Sequence, residues 1–223
     1  DLYLDDPDYL VVPGFYLNVP GRYQLLNDNL LDLSHLSYLH QTSIGNEEMA
    51  SAPEEREEGE NWLSTKRSAK DIPCPPLYAP LFGYEGNVER YFGMHFYMPG
   101  LHAGFDEFRK PVDGQEKGDM LGRLNVYHVV TPGKLHTTNY FFAVGRNFAK
   151  SDEVTENLLK GLEPVLQEDA FATEAIEAML NDLGEVPPEF LARGDAHAVR
   201  GRRILEALIK KDMEQSTPLS HAG

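Results

Sequence analysis

The sequence predicts an α+β domain in which an antiparallel sheet packs against a long helix near the carboxyl end. Ser151 is a favourable helix N-cap, the acidic Asp152 and Glu153 follow it, and helical periodicity continues to about Leu183. Three earlier segments have the composition of strands and are separated by turn-forming residues: residues 91–98, 124–130 and 138–144. Because no helical pattern lies between them, these strands favour antiparallel pairing.

Three further segments precede these strands. Residues 10–19 have a strand-like composition interrupted by Pro13-Gly14, which predicts a hairpin or a pair of strands. A helix is expected over the leucine-rich residues 27–40. Residues 45–71 are acidic and show no hydrophobic period, so we expect a solvated loop there.

The carboxyl-terminal part of the chain predicts a second helix over about residues 195–215, with apolar side chains along one stripe. Residues 216–223 are expected to form a tail, which leaves residues 1–215 as one domain. A chain of 223 residues, of which 41% are hydrophobic, is long enough to build a sizeable core without disulfide bonds.

The overall charge is strongly negative, with 20 basic residues, 36 acidic residues and a formal net charge of −16. Such a field repels phosphate backbones and anionic lipid, so neither nucleic acid nor a membrane surface is expected as a partner. The chain has no apolar run of about 18 residues and no signal-peptide pattern, so no membrane span is predicted. The single cysteine, Cys74, has no intrachain partner, which favours a reducing, cytoplasmic location.

The leucine-rich segment carries two histidines and an acid, where a plain amphipathic helix would carry neither. His35 and His40 are candidate metal ligands, because neutral imidazole is the commonest metal ligand in proteins. Asp32 precedes His35 by one helical turn, so its carboxylate could accept the second ring N–H and orient the imidazole. Positions five apart diverge by about 140° on an ideal helix, however, so the two rings converge only with a π-type bulge or a helix end between them.

The long helix supplies a candidate third ligand, Asp169. It shares the inward face with Leu162, whereas Glu168 falls on the opposite side and should be solvated unless Pro164 kinks the helix. Two histidines and one carboxylate form the facial triad that suits non-haem Fe(II). The residues alone leave another interpretation open, in which the histidines are hydrogen-bonded core or surface groups and Asp169 is an acid at a helix kink.

The order of these residues resembles a known family. The pattern Asn29-x-x-Asp32-x-x-His35-x-x-x-x-His40, with Asp169 far downstream, is similar to the catalytic domain of the Rieske non-haem iron oxygenases. Within that family the chain looks closest to the aromatic O-demethylases typified by vanillate and dicamba monooxygenases. The supporting stretches are residues 96–100, 128–132, 140–142, Asp195 and residues 202–205.

The resemblance implies a helix-grip fold, in which the antiparallel sheet wraps around the long carboxyl-terminal helix. It also implies that His35, His40 and Asp169 bind a mononuclear Fe(II) ion. Asp32, with Asn29 beside it in the motif, would belong to the catalytic apparatus, because the matching acid bridges to the cluster domain of a neighbouring subunit. Such a bridge requires an oligomer, and a ring-shaped homotrimer is expected.

The implied function is that of a terminal oxygenase component, which uses Fe(II) and O2 to oxidise a small aromatic substrate, through O-demethylation of a methoxylated aromatic acid. Electrons would come from NAD(P)H through a reductase or ferredoxin and a Rieske [2Fe–2S] cluster. That cluster needs two cysteines, so its amino-terminal domain is absent from this sequence, and the start at Asp1 favours an omitted domain. Three alternatives stay open: a ring-hydroxylating Rieske dioxygenase, a non-catalytic helix-grip domain that binds an apolar ligand, and a zinc hydrolase on the same ligands.

One strand offers a candidate substrate contact. His128 is the lone polar group on an otherwise apolar strand face, where a hydrogen-bonded core histidine is the alternative. The resemblance favours the cavity, because a histidine at the matching position of the family can contact substrate. Asn139 and His136 lie near the next strand and could contribute, and a substrate carboxylate could be recognised by Arg123, by Arg146 or by a lysine.

Overall fold

A computed structural model of the protein describes residues 2–114, 117–184 and 188–216. Its described strands form one antiparallel sheet: β1 (Leu10–Val19), β2 (Glu54–Glu58), β3 (Trp62–Pro73), β4 (Asn87–Tyr97), β5 (Leu101–Arg109), β6 (Met120–Lys134) and β7 (Thr137–Arg146). The order across the sheet is β1-β7-β6-β5-β4-β3-β2, so the chain runs through neighbouring strands from β2 to β7 and only β1 pairs out of sequence. The predicted antiparallel sheet is therefore confirmed.

The described helices lie before, between and after the strands: α1 (Tyr23–Leu31), α2 (Leu36–Leu39), α3 (Glu47–Ser51), α4 (Ala79–Phe82), α5 (Asp152–Leu183) and α6 (Ala196–Ser216). Ser151 caps α5 as predicted, since its side chain accepts a hydrogen bond from the backbone N–H of Val154. Leu158, Leu162 and Leu166 of α5 share one hydrophobic core with side chains of the sheet. The α+β class is confirmed, and the long helix against the antiparallel sheet forms a helix-grip-like arrangement.

The acidic residues 45–71 do not form the expected loop. They contain α3, β2 and most of β3, which pairs along its length with β4. Charged strands are possible here because β2 is the last strand of the sheet, and its side chains from Glu55 to Glu58 are exposed. Edge position thus permits a composition that would exclude an interior strand.

Two other strands differ from the sequence-based expectations. Residues 10–19 form the single strand β1 rather than a hairpin, and the pairing with β7 shifts register between Pro13 and Tyr16. A side chain at Gly14 would lie 2.8 Å from a ring atom of Phe142, so the close approach at this irregularity requires glycine. The strand β5 was not predicted, because its glycine and buried polar residues hide the usual apolar alternation.

The carboxyl-terminal helix α6 ends at Ser216, so the predicted tail, apart from this residue, lies outside the described residues. Within the part of the chain that the structure describes, no helix combines the length and the apolar character needed to cross a bilayer.

Candidate metal centre

The histidine motif is divided between two helices. The expected single helix over residues 27–40 is wrong, because α1 ends at Leu31 and the chain turns before the one-turn helix α2. His35 is the N-cap of α2 and His40 is its C-cap, so the two histidines flank this single turn. The helix ends therefore provide the break that the five-residue spacing required, and the imidazole rings lie 5.2 Å apart between centroids.

Three candidate ligand atoms converge on one point. The ring nitrogens of His35 and His40 and a carboxylate oxygen of Asp169 all lie within 4.8 Å of one another. Asp169 Oδ1 is 3.1 Å from His40 Nε2 and 3.5 Å from His35 Nε2. Asp169 lies on the buried face of α5, as its register with Leu162 predicted. The fold thus brings together residues that are more than 120 positions apart in the chain.

The second nitrogen of His35 has a partner other than the predicted one. His35 Nδ1 contacts the backbone carbonyl oxygen of Asp32. The Asp32 carboxylate instead accepts hydrogen bonds from the backbone N–H of Ser34, at 2.9 Å, and from the Ser34 hydroxyl, at 2.5 Å. The expected contact between the Asp32 carboxylate and the His35 ring is therefore wrong, because the chain leaves the helix at Asp32 and its side chain closes the turn.

The second nitrogen of His40 contacts Glu168, which the sequence analysis placed in solvent. His40 Nδ1 lies 2.6 Å from Glu168 Oε2, although the Glu168 side chain keeps 41% of its surface exposed. The His40 ring is only 1% exposed and lies between two consecutive residues of α5. Helical periodicity alone did not predict this contact, because a carboxylate at the flank of α5 can still reach the His40 ring.

Hydrogen bonding stabilises the charged form of the buried acid. Burial alone would raise the pKa of the Asp169 carboxyl. The hydrogen bonds and charges of His35 and His40 instead hold this pKa well below its usual value. Asn29 adds a third donor, because its side-chain amide lies 3.0 Å from Asp169 Oδ1. Asn29 therefore lies beside the three candidate ligands.

These groups fit a divalent metal ion. Both histidines present Nε2 to the centre, and the other nitrogen of each ring is occupied by an oxygen of the protein. Such contacts fix the orientation of a ligating imidazole and are characteristic of metal-binding histidines. The third group is a buried carboxylate held in its ionised form. This set of two histidines and one carboxylate is the one that suits non-haem Fe(II).

An apolar cavity adjoins the centre. The three candidate ligand residues line it together with aromatic and aliphatic side chains of the sheet, of α1 and of α5, among them Phe92, Met94 and Val165. His128 also lines this cavity, and its Nδ1 is hydrogen-bonded to the hydroxyl of Tyr140. Burial lowers the pKa of His128 to about 4, so its imidazole is neutral at physiological pH. His128 thus has a protein partner at one nitrogen and a place on the cavity wall.

The structure does not bring the other candidate substrate residues to this cavity. Asn139 accepts a hydrogen bond from Tyr16 on the opposite face of the sheet, and His136 contacts Glu177 near the β6–β7 turn. The candidate carboxylate-binding arginines are also elsewhere. Arg123 contacts Glu107 on the outer face of the sheet.

Arg146 is buried and donates to groups at the start of α5, including the hydroxyl of Thr155 at 2.7 Å. The cavity instead contains an acid that the sequence analysis did not select, Asp106, which pairs with the buried Arg90 at 2.7 Å. Only the tertiary structure identifies this pair, since both residues lie in strands whose polar side chains could equally have faced solvent.

Proteins of a known family are similar to this chain in sequence and in structure. A profile of the vanillate O-demethylase oxygenase C-terminal domain matches residues 19–211. The iron-sulfur subunit of the toluene-4-sulfonate monooxygenase system of Comamonas testosteroni is 28% identical, over 96% of this chain and 63% of its own length. The vanillate O-demethylase oxygenase subunit of Pseudomonas sp. (strain HR199 / DSM 7063) is 27% identical, over 94% of this chain and 61% of its own length.

Among solved structures, dicamba monooxygenase bound to 3,6-dichlorosalicylic acid superposes with a TM-score of 0.80 at 25% identity, over 94% of this chain and 62% of that chain. The chain thus spans about three-fifths of the length of the relatives that it matches. The match to the domain profile extends over most of the sequence, from the end of β1 to the last turns of α6. The chain therefore belongs to the vanillate O-demethylase oxygenase C-terminal domain family.

Proposed function

We propose that this chain is the catalytic domain of a terminal oxygenase, which uses Fe(II) and dioxygen to oxidise an aromatic substrate. The observation that carries the proposal is the convergence of His35, His40 and Asp169 on one point at the wall of an apolar cavity. A ligand-binding domain without chemistry would account for the cavity but not for the three convergent ligands. An Fe(II) ion held there would supply the redox chemistry for reducing dioxygen and attacking a C–H bond.

The reaction that we propose is O-demethylation. A methoxylated aromatic, R–O–CH3, reacts with O2, two electrons and two protons to give R–O–CH2OH and water, and the first product separates into R–OH and formaldehyde. Relatives named for vanillate and for dicamba are O-demethylases, and methoxylated aromatics are therefore the first substrates to test. A relative from Rhizorhabdus wittichii named as a chloroacetanilide N-alkylformylase suggests that an alkyl group on nitrogen is a related target.

The protein residues would orient the substrate and keep water from it. The aromatic and aliphatic cavity wall would hold the ring, and the His128 side chain would donate a hydrogen bond to an oxygen of the substrate. The Tyr140 phenol keeps its proton, because burial raises its pKa well above the usual value, and it can donate to His128 Nδ1. The proton of the His128 imidazole then lies on Nε2, where it is available to a ligand.

Electrons would reach the centre from outside these residues. The sequence contains one cysteine, whereas a Rieske [2Fe–2S] cluster needs two, so we propose that the cluster lies on another domain or chain. A reductase or ferredoxin would deliver electrons from NAD(P)H to this cluster. Asp32, whose carbonyl contacts His35, would be the residue through which the cluster of a neighbouring subunit reaches the centre. This route requires an oligomer, for which we propose a homotrimer.

The test is product analysis with the iron-loaded protein, its Rieske domain and a reductase. Oxygen-dependent release of one formaldehyde per phenol from a methoxylated aromatic supports O-demethylation. A dihydrodiol would instead indicate a ring-hydroxylating dioxygenase. Stoichiometric zinc in protein purified anaerobically, with hydrolysis as the only activity, would overturn the proposal, as would binding of aromatics without any bound metal.

A further inference from the structure

The charges on the cavity wall distinguish between classes of substrate. Beyond the histidines and Asp169, the charged side chain on this wall is Asp106, which is itself almost fully buried. None of the described residues that line the cavity is a lysine or an arginine. An anionic ligand would therefore face a carboxylate, without a cationic side chain on the wall to compensate it.

The nearest cation is already fully engaged. Arg90 lies behind Asp106, and its Nε and Nη2 donate to the two Asp106 oxygens at 2.8 and 2.7 Å. Its Nη1 donates to the backbone carbonyl of Ile44 and to the side chain of Asn46. Each nitrogen of the guanidinium thus has a protein acceptor, and the buried group cannot turn to a ligand without losing these bonds.

Asp106 and His128 give the cavity two polar groups on one face of the sheet. His128 lies directly opposite His102 in the β5–β6 pairing, and Asp106 is four residues further along β5, about 13 Å along the strand. Residues at even positions of β5 share this face, so both side chains point to the cavity side. A neutral imidazole at one end can donate a hydrogen bond, and a carboxylate at the other end can only accept one.

We propose that the cavity selects an uncharged aromatic that carries a hydrogen-bond donor, such as a phenolic hydroxyl or an amide N–H, and discriminates against aromatic carboxylates. The inference rests on the proposed function and narrows its substrate class. The donor would bind Asp106, and an ether oxygen would accept from His128. A carboxylate in place of the donor would be buried beside Asp106 without a cationic partner, and the Tyr78 hydroxyl on the same wall is already hydrogen-bonded to Asp106. This burial costs enough to weaken binding by about a hundredfold or more.

The test compares two ligands that differ in one charge. Vanillate and vanillamide share the ring, the methoxy group and the phenol, and only vanillate carries a carboxylate. Isothermal titration of the Fe(II)-loaded protein without oxygen should show vanillamide binding about a hundredfold more tightly. Equal affinities, or tighter binding of vanillate, would overturn the inference.

A variant checks the role assigned to Asp106. Asp106→Asn removes the wall charge and leaves Arg90 without its anion, so the ratio of vanillate to vanillamide affinity should rise about tenfold or more. Asp182→Asn, an exposed change near the end of α5, should leave the ratio unaltered. The wild-type comparison does not depend on the folding of either variant, and an unaltered ratio in folded Asp106→Asn would overturn the role.

Turnover separates this inference from the proposed function. Formaldehyde release from vanillate with tighter vanillate binding would overturn the charge selectivity and leave the oxygenase proposal intact. If the complete system released formaldehyde from neither compound and bound neither, both proposals would be contradicted.

Discussion

Glu168 and Asp169, consecutive residues of α5, hold the two ring nitrogens of the same histidine. Glu168 Oε2 lies 2.6 Å from His40 Nδ1, and Asp169 Oδ1 lies 3.1 Å from His40 Nε2. With a metal ion bound, the half-exposed acid would accept the Nδ1 proton, and Nε2 would carry no proton and would bind the metal. Two consecutive residues of the long helix thus supply one candidate ligand and the acceptor that would orient a second candidate ligand.

Removal of the Glu168 carboxylate should weaken metal binding. We expect Glu168→Ala to lower the affinity for Co(II), used as a spectroscopic probe, by about 10- to 100-fold, because His40 loses the acceptor that orients it. Glu168→Gln keeps an acceptor oxygen and should recover much of the affinity. Glu174→Ala, an exposed acid on the same helix, is the control. Equal affinities for the Ala variant and the wild type in competition titrations would show that the contact is incidental.

Each of the three candidate ligands should be required for iron retention. His35→Ala, His40→Ala and Asp169→Ala should each yield a protein with little bound iron by elemental analysis, since a facial triad has no spare ligand. Circular dichroism should show the fold retained. Wild-type iron stoichiometry in all three variants would refute the assignment of the centre.

Asp32 should matter for electron delivery rather than for iron binding. Asp32→Asn keeps an oxygen for the Ser34 contacts and leaves the backbone carbonyl that faces His35 in place. In the complete protein, we expect iron content near the wild-type level and oxidation of the reduced cluster slowed about tenfold or more in a single turnover. An unchanged rate would make Asp32 a purely structural residue of this turn.

His128 should contribute to substrate binding. His128→Ala should weaken binding of a methoxylated aromatic by about 10- to 100-fold, equivalent to about 1–3 kcal/mol for a lost buried hydrogen bond, while iron stays bound. His136→Ala, a half-exposed histidine outside the cavity, should change affinity little. If titration calorimetry gives the same affinity for His128→Ala as for the wild type, the Tyr140 contact is its whole role.

Glu177 should make the fold sensitive to acid. Its hydrogen bonds to Arg22, at 2.7 Å, lower the pKa of its carboxyl from 4.5 to about 2. Because the folded-state value is the lower one, this contribution to stability is present above about pH 4.5 and disappears as the pH falls towards 2.

Glu177→Gln should therefore cost about 2 kcal/mol in urea unfolding at pH 7 and progressively less below pH 4.5. The control is Glu174→Gln, an exposed acid one turn earlier in the helix. A difference between Glu177→Gln and the wild type that stays constant from pH 7 to pH 3 would contradict the assignment.

Helical geometry restricts where a side chain can point, and this made the convergence of the three candidate ligands predictable. Asp169 was placed inward by its register with Leu162, and the five-residue spacing of the histidines required a break, which the structure provides. The contacts of Asp32 and Glu168 could not be predicted in this way. They depend on where the chain leaves α1 and on how His40 approaches the side of α5, both of which are tertiary features.

The strands whose apolar side chains alternate regularly could be predicted from the sequence. The strands that carry many polar side chains could not. The strand β5 buries three polar side chains, His102, Asp106 and Glu107, which have partners on α1 and on the neighbouring strands β4 and β6, so its sequence lacks the pattern that identifies a strand. The Arg90–Asp106 pair shows the same limit, since a buried ion pair and two solvent-exposed charges look alike in a sequence.

The acidic strand β2 has a consequence for the protein in concentrated solution. An outermost strand exposes backbone N–H and C=O groups that can recruit the edge of another molecule. Four of the five residues of β2 are glutamates, so a second copy approaching this edge would meet its own charge. At the other edge, Pro13 of β1 offers no backbone N–H group, and the shifted register interrupts the row of exposed backbone hydrogen-bonding groups. Both borders of the sheet thus resist the strand-to-strand association that leads to aggregation.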